Sequence, residues 1–342
     1  MAARLADWAM AAKSGGGRVW MQINHPGRQT PIHVNPRPKA PSAVPVALPG
    51  KRFGAPVPLD EAEIAALIAG FATAAHAAAD AGFDGVQIHA AHGYLLSQFL
   101  SPRANRRTDQ YGGSLENRAR MLIATVRAVR AALPGGQTVS VKLNSADFQK
   151  DGFAFEDSLR VAAWLADEGV DLLEISGGSY EQPRMMALDG LERPVEPIAG
   201  STRAREAYFL DFARAMRSGR TPPLMVTGGF RTAAAMAGAL ADGIALIGIG
   251  RPMCADPLGP ARLLAGSDEM LARIEDRLRI GPGIFGPASP LRMVKALNGF
   301  AVMSWYYQQI RRMGAGQMPD ADQSVLGALI AEQRTDRALI GR

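Results

Sequence analysis

The sequence predicts an α/β protein whose strands belong to a (β/α)8 barrel (a TIM barrel), followed by C-terminal helices. First, short β-branched runs alternate with longer helical runs, which is typical of a parallel sheet. Second, polar residues end four successive strand candidates. Third, the last two strand candidates run into glycines, where barrels of this kind bind phosphate. About six βα units can be counted, so we expect two of the eight strands to be missing from this chain.

Six runs of the chain have the length and composition of buried strands. They span residues 18–24, 84–89, 138–144, 171–176, 223–227 and 244–250. Helices are expected at 2–13 and 290–313, and from starting points near Asp60, Ser114, Phe155, Thr202 and Thr232. The helix at Asp60 is the clearest, because Asp60 and Glu63 form a capping-box pattern ahead of an apolar stripe. Gly82 is expected to end it.

The ends of the first four strands decide between an open doubly wound sheet and a closed barrel. A barrel strand points alternate residues inward, and functional groups gather at its C-terminal end. The polar residues here are spaced two apart, so each pair shares one face of its strand. The pairs are Gln22 and Asn24, Gln87 and His89, Lys142 and Asn144, and Glu174 and Ser176. Parallel strands are covered on both faces, which favours a ring around one pocket over ordinary solvent exposure.

Composition bears on the class of protein. No apolar run approaches the roughly 18 residues of a membrane span, and we expect no signal peptide. Cys254 is the only cysteine, which excludes disulfides within the chain and cysteine-ligated iron–sulfur clusters and fits the cytoplasm. The net charge is +6, but the arginines are scattered along the chain and interleaved with acidic residues. We therefore expect neither a nucleic-acid nor a membrane partner. We expect a small-molecule substrate, and a homo-oligomer stays open.

Two glycine loops follow the last two strand candidates. Gly228, Gly229 and Phe230 follow one of them, and Gly250 and Arg251 follow the other. Glycine lets backbone N–H groups approach an anion, and a helix N-terminus adds the positive end of its dipole. Phosphate sites of (β/α)8 barrels are built by the loops after strands seven and eight. We interpret the two loops as a phosphate site, with plain tight turns as the alternative.

His89, His92 and Tyr94 cluster after the second strand candidate. Two histidines could donate hydrogen bonds to a substrate oxygen and withdraw electron density from a conjugated bond. A tyrosine beside them could donate a proton as that bond is reduced. The alternative is a His-x-x-His metal site, which needs a third ligand. His25 is the only nearby candidate for that ligand, so we expect no metal.

The segment from Gly82 to Arg120 contains the strings GFDGVQIH and RTDQYGGSLENRAR. It resembles the Old Yellow Enzyme family of FMN-dependent NAD(P)H oxidoreductases, which are (β/α)8 barrels. The likeness continues at residues 22–28, 141–144, 228–229 and 250–251, and is greatest for the NADH:flavin oxidoreductase/NADH oxidase branch. It covers residues 1–265 as an incomplete FMN-binding barrel, and we expect residues 266–342 to form a helical extension packed on it.

The resemblance implies FMN as the cofactor and NADH or NADPH as the reductant. Gln22 would hydrogen-bond the pyrimidine edge of the flavin. Lys142 stands where most relatives have an arginine near flavin N1 and O2, so the charge is kept and the bidentate fork is lost. The FMN phosphate would be held by Gly228, Gly229, Phe230, Gly250 and Arg251.

The resemblance also assigns roles at the substrate. His89 and His92 would bind the carbonyl oxygen of an α,β-unsaturated substrate, and Tyr94 would donate the proton. Asn24 would lie in the substrate pocket, where some relatives carry a bulky tryptophan. Natural acceptors that stay open are enones, quinones, nitro compounds and oxygen.

Two alternative hypotheses for the function of the chain remain open. One is a non-flavin barrel aldolase or isomerase that binds a phosphorylated substrate and uses Lys142. The other is an inactive truncated remnant. By resemblance, the strand with Gln22 is the third of the barrel, so the first two strands would be missing. We expect instead that Met1 is an internal methionine of a longer protein. The run Gly281–Gly286 matches a dinucleotide fingerprint, but no strand precedes it, so we interpret it as a surface loop.

Overall fold

The computed structural model describes residues 2–182 and 209–340, and its main feature is a six-stranded parallel sheet. Its strands are β1 (Trp20–Ile23), β4 (Gly85–Ala90), β5 (Thr138–Asn144), β6 (Leu172–Ser176), β7 (Leu224–Thr227) and β8 (Leu246–Gly248). Each strand pairs in parallel with the next one of this series. All six predicted strands are therefore confirmed, and the architecture is that of a partial (β/α)8 barrel. Among the described residues, β1 and β8 are each paired on one side only.

Helices precede, connect and follow the strands of the sheet. They are α1 (Ala2–Lys13), α2 (Glu61–Asp80), α3 (Leu95–Leu100), α4 (Leu115–Ala132), α5 (Phe155–Asp167), α6 (Leu210–Arg217), α7 (Ala233–Ala241), α8 (Gly259–Leu264), α9 (Arg292–Gly314) and α10 (Val325–Ile340). Ser114 and Thr232 cap α4 and α7 through their side chains, at the starting points that the sequence predicts. The helix start predicted near Thr202 lies outside the described residues.

Helix α2 forms where the capping box predicts. The Asp60 carboxylate accepts from the Glu63 backbone N–H at 2.7 Å, and the Glu63 carboxylate accepts from the Asp60 N–H at 3.0 Å. Gly82, with φ of 88°, ends the helix and turns the chain into β4. By length and composition alone this helix could cross a membrane. Ile64 and Phe71 are buried in the barrel core, which accounts for its apolar face.

The core lies between the sheet and its helices. Every residue of β4 is buried, which matches the composition of strands covered on both faces. Ile88 on β4, Val141 on β5 and Leu122 on α4 all belong to this core and are fully buried. Burying one such side chain stabilises the fold by roughly 1.5–3 kcal/mol. The core therefore fixes the strands whose ends carry the polar residues.

Some boundaries and elements differ from the predictions. The first strand is shorter than predicted, because the Asp84 carboxylate accepts from the Val19 N–H at 2.8 Å. The last strand is shorter because a 3-10 turn follows directly after Gly250. Helix α3 was not predicted. Nor was the small parallel sheet of β2 (Lys39–Ala40) and β3 (Val57–Pro58), which lies in the loop after β1.

The C-terminal helices α9 and α10 have a core of their own. Trp305 is fully buried there, and Ala328 and Leu329 of α10 pack in the same cluster. This cluster touches the barrel through Cys254 and Ala255, which follow the last strand. The division of the chain at residue 265 stays a prediction.

The glycine-rich run Gly281–Gly286 is a loop, as predicted. It contains a short 3-10 turn at Gly283–Phe285, and a 3-10 turn at Ile274–Asp276 precedes it where a dinucleotide fold requires a strand. Ile284 and Phe285 are exposed.

Candidate active site

Polar side chains of four neighbouring strands form one hydrogen-bonded row. Gln22 Nε2 donates to Gln87 Oε1 at 2.6 Å, and Gln87 Nε2 donates to Glu174 Oε2 at 2.9 Å. Lys142 Nζ lies 3.2 Å from Glu174 Oε1, in register with it across β5 and β6. The row therefore presents amide groups and one ammonium group along the inner face of the sheet. Gln87 and Glu174 are buried and hold the more accessible Gln22 and Lys142 in place.

His89 ends β4 in register with Lys142. It is buried, and its Nδ1 accepts a hydrogen bond from the Ala91 N–H at 3.2 Å. Burial lowers the pKa of His89 to about 3, and the positive charge of Lys142 adds to this effect. The imidazole is therefore neutral near pH 7. Because Nδ1 is an acceptor, the proton lies on Nε2, which is left as a donor.

His92 is held in a left-handed backbone conformation, with φ of 60°. Its N–H donates to Asn144 Oδ1 at 3.1 Å, and its carbonyl accepts from Gln29 Nε2 at 3.0 Å. Its ring lies 5.0 Å from that of His89, and its Nε2 is 2.7 Å from Ser176 Oγ. Burial lowers the pKa of His92 well below its usual value, helped by His89 and Lys142. Backbone strain of this kind concentrates at functional sites.

Tyr94 completes the group that the sequence brings together. Its ring lies 4.9 Å from that of His89, edge to face. Its hydroxyl is 2.7 Å from the hydroxyl of Tyr180, which follows β6. Burial raises the pKa of Tyr180, and Tyr94 adds to the shift, so Tyr180 stays a neutral phenol. The structure thus gathers His89, His92 and Tyr94 at one end of the sheet.

The glycine loops lie after β7 and β8, as predicted. Gly228 and Gly229 have φ of 109° and 92°, which residues with a side chain rarely adopt. Phe230 is buried and fixes the loop on the core. Gly250 precedes a 3-10 turn that begins at Arg251. Backbone N–H groups in glycine loops of this kind can bind an anion.

The residues present fit FMN. Besides the two loops, Thr227 Oγ1 at the end of β7 is buried without a hydrogen-bond partner in the described part of the chain. A Cβ at Gly248 would lie 1.9 Å from this oxygen, so glycine at that position makes room for it. The amide of Gln22 and the ammonium of Lys142 suit the polar edge of a flavin.

Asn24 lies one residue beyond β1, at the same end of the sheet as His89. Its side chain is exposed. Its role as a pocket residue stays a prediction.

The strand-end pairs place four further residues in the predicted ring, but the sequence interpretation assigns them no role: Gln87, Asn144, Glu174 and Ser176. Their hydrogen bonds organise the site. The sequence interpretation missed Tyr180. Tyr180 stands four residues after the end of β6, and only its position in a loop at the active end of the barrel points to it.

Comparison with known proteins gives one family. The sequence model of the NADH:flavin oxidoreductase / NADH oxidase family matches residues 2–268. An NADH-dependent flavin oxidoreductase of Neonectria sp. is 39% identical over 270 residues, covering 74% of this chain and 35% of that protein. The chain thus spans about a third of the length of this relative. An NADH-dependent flavin oxidoreductase of Aspergillus parasiticus, also 39% identical, has 56% of its length covered.

Solved structures give the same fold. The old yellow enzyme homologue from Zymomonas mobilis superposes with a TM-score of 0.64 at 27% identity, over 80% of this chain and 74% of that one. A complex of 2-naphthoyl-CoA reductase with 2-naphthoyl-CoA superposes with a TM-score of 0.68 at 28% identity, over 78% of this chain and 41% of that one.

Proposed function

Because the chain belongs to the NADH:flavin oxidoreductase / NADH oxidase family, we propose that its protein uses NAD(P)H to reduce the activated C=C bond of an α,β-unsaturated carbonyl compound. The observation that carries this proposal is the group of His89, His92 and Tyr94. Two neutral imidazoles lie with ring centres 5.0 Å apart, and a phenol lies beside them. This arrangement offers hydrogen-bond donors to one substrate oxygen and a proton donor nearby.

Gln22 and Lys142 would hold the flavin ring of FMN, and the loops with Gly229 and Arg251 would hold its phosphate. When bound, FMN supplies the hydride carrier between the nicotinamide and the acceptor. Lys142 forms an ion pair with Glu174, at 3.2 Å. A positive charge at this place would favour a ring that gains electron density.

His89 and His92 would bind the carbonyl oxygen of the acceptor. As a neutral imidazole, His89 donates from Nε2, because its Nδ1 accepts from the Ala91 N–H. The hydrogen bond to Ser176 at 2.7 Å orients the ring of His92. His89 is buried and His92 is half-buried. In a site that excludes water when the substrate is bound, each donor to a developing enolate is worth roughly 2.7–4 kcal/mol.

Tyr94 would supply the proton to the substrate carbon next to the carbonyl. Its hydroxyl is fixed by Tyr180 at 2.7 Å, and Tyr180 stays protonated because burial raises its pKa. A fixed phenol avoids the need to reorient at the moment of reaction.

No observation favours the aldolase or isomerase alternative. A Schiff-base lysine must reach the substrate as a neutral amine, whereas Lys142 lies in an ion pair with the buried Glu174. We place the reaction in the cytoplasm, whose reducing conditions suit a chain with the single cysteine Cys254.

Reconstitution with FMN and anaerobic stopped-flow spectroscopy test the proposal. We expect NADH or NADPH to bleach the flavin absorbance, and 2-cyclohexenone to restore it. The double variant His89→Ala/His92→Ala should still be reduced by NAD(P)H but reoxidised by the enone at least 100-fold more slowly. Reoxidation of the wild-type protein by oxygen or quinones alone, with no effect of the enone, would refute the proposed acceptor.

A further inference from the structure

A second part of the candidate site lies where the loop after β1 meets helix α9. The Ile32 N–H donates to the Arg52 carbonyl at 2.8 Å, and Pro31 and Phe53 form an antiparallel bridge. This pairing turns the loop back on itself. It places the ring of Phe53 6.0 Å from that of Tyr180, which contacts Tyr94. Arg52 is therefore adjacent in sequence to Phe53, whose ring lies near the tyrosine pair of the candidate site.

The guanidinium of Arg52 lies over the ring of Phe300 on α9, 4.1 Å from its centre. Burial lowers the pKa of Arg52, which shows that its charge has lost part of its hydration. Within the described residues, Arg52 makes no ion pair with a carboxylate. The buried arginines of the described part of the chain each have one: Arg28 with Glu181, Arg118 with Asp157 and Arg231 with Glu275. Arg52 thus retains an uncompensated positive charge in a partly desolvated place.

Helix α9 continues from Phe300 towards Tyr94. Tyr307 comes seven residues after Phe300, so it lies on the same face two turns further along. Its pKa is raised by burial and by the neighbouring phenol of Tyr94. One face of α9 therefore carries both Phe300, which lies under the guanidinium of Arg52, and Tyr307, whose pKa responds to Tyr94.

We propose that Arg52 binds a carboxylate on the far end of the substrate, while Phe53, Phe300 and Tyr307 enclose the apolar body between that carboxylate and the histidine pair. This inference rests on the proposed function, because it extends the site of His89 and His92. It assigns the substrate a chemical class: an apolar, unsaturated carbonyl compound with a carboxylate several bonds away from the reacting double bond.

Each residue of the proposed subsite would contribute differently to substrate binding. A guanidinium presents two parallel N–H groups to a carboxylate, and such charge-assisted bonds are about twice as strong as neutral ones. The ring of Phe300 holds the guanidinium from one side. Among residues 2–182 and 209–340, no side chain or carbonyl accepts a hydrogen bond from its N–H groups. Phe53 is half-buried and Tyr307 is exposed, so both have surface left to contact a ligand. Arg52 would therefore determine specificity for the anion.

Equilibrium binding of a matched pair of ligands tests the proposal. The acid is 4-(4-hydroxyphenyl)butanoate, whose phenol can occupy the histidine pair, and the neutral control is its methyl ester. Both are titrated calorimetrically into the oxidised, FMN-loaded protein. We expect Arg52→Gln to weaken the acid at least tenfold and the ester less than threefold. Arg52→Lys should recover part of the loss. Lys51→Gln removes the same charge from the exposed neighbouring residue and should change neither ligand more than threefold.

Equal weakening of acid and ester by Arg52→Gln would overturn the proposal, since Arg52 would then only anchor α9. A slower reduction by NADH with unchanged acid binding would also overturn it, because the guanidinium would then serve the nucleotide phosphates. Acid binding that depends on Arg52 but not on His89→Ala/His92→Ala would retain the anion site and refute the proposed function. The two ideas therefore fail separately.

Discussion

The hydroxyls of Tyr94 and Tyr180 lie 2.7 Å apart, although 86 residues separate them in the sequence. Their rings also pack edge to face, with centres 5.7 Å apart. Because burial raises the pKa of Tyr180, this residue enters the hydrogen bond as a neutral phenol. Tyr180, in the loop after β6, therefore sets the position of the hydrogen that Tyr94, in the loop after β4, can donate.

Removing the Tyr180 hydroxyl should separate positioning from proton donation. We expect Tyr94→Phe to slow enone-dependent flavin reoxidation by roughly 100-fold or more, as loss of a general acid does. Tyr180→Phe should slow it by only about tenfold, because Tyr94 keeps its proton but loses its orientation. Stopped-flow rates of both half-reactions measure this, and reduction by NAD(P)H should change little in either variant. Tyr111→Phe, a tyrosine that packs on Phe99 instead, serves as the control.

The neutral histidines should make the protein less stable in acid. His89 has a pKa of about 3 in the folded protein, against about 6.5 in an unfolded chain. Below pH 6.5 the unfolded state therefore binds a proton that the folded state does not, so the free energy of unfolding falls as the pH falls. The slope approaches ~1.4 kcal/mol per pH unit for each such histidine. Urea unfolding between pH 4.5 and 7 measures it.

Substitution of the histidines identifies their share of this slope. His89→Gln should reduce the pH dependence of unfolding, and His89→Gln/His92→Gln should reduce it further. His76→Gln, which changes an exposed histidine on α2, should leave it as in the wild type. An unchanged slope in the double variant would mean that another group dominates the acid response, such as His25, whose pKa is also lowered by burial.

Local signals in the sequence predicted most of the barrel. The capping box at Asp60 and the caps at Ser114 and Thr232 act within four residues, so they can be read without knowing the fold. The strand-end pairs predicted one ring because alternation along a strand is also local. The partners of the site residues depend instead on which strand lies beside which. The contact of Arg52 with Phe300 joins residues 248 positions apart and has no local signal.

The buried ion pair of Arg28 and Glu181 should matter for stability. Both side chains are almost completely buried, and Glu181 also accepts from the Ala47 N–H at 2.7 Å. Arg28→Met would leave a buried carboxylate without its cation, which costs about 3–5 kcal/mol. The free energy of unfolding in urea should fall by that amount. Asp322→Asn breaks the exposed pair with Arg277 and should cost less than ~1 kcal/mol. Similar losses in the two variants would contradict this assignment.

The glycines after β7 should matter for FMN more than for folding. Gly229 has φ of 92°, and Gly136, in an exposed turn far along the chain from the site, has φ of 88°. Alanine at either position strains the backbone by roughly 1–2 kcal/mol, so both variants should lose similar stability. Only Gly229→Ala adds a methyl group to the proposed phosphate loop and disturbs its N–H groups. We therefore expect the Kd for FMN, measured by quenching of flavin fluorescence, to rise at least tenfold in Gly229→Ala and to stay within twofold in Gly136→Ala. Equal FMN affinity in the two variants would place the phosphate elsewhere, and a weaker affinity in both would show only that a strained fold binds FMN less well.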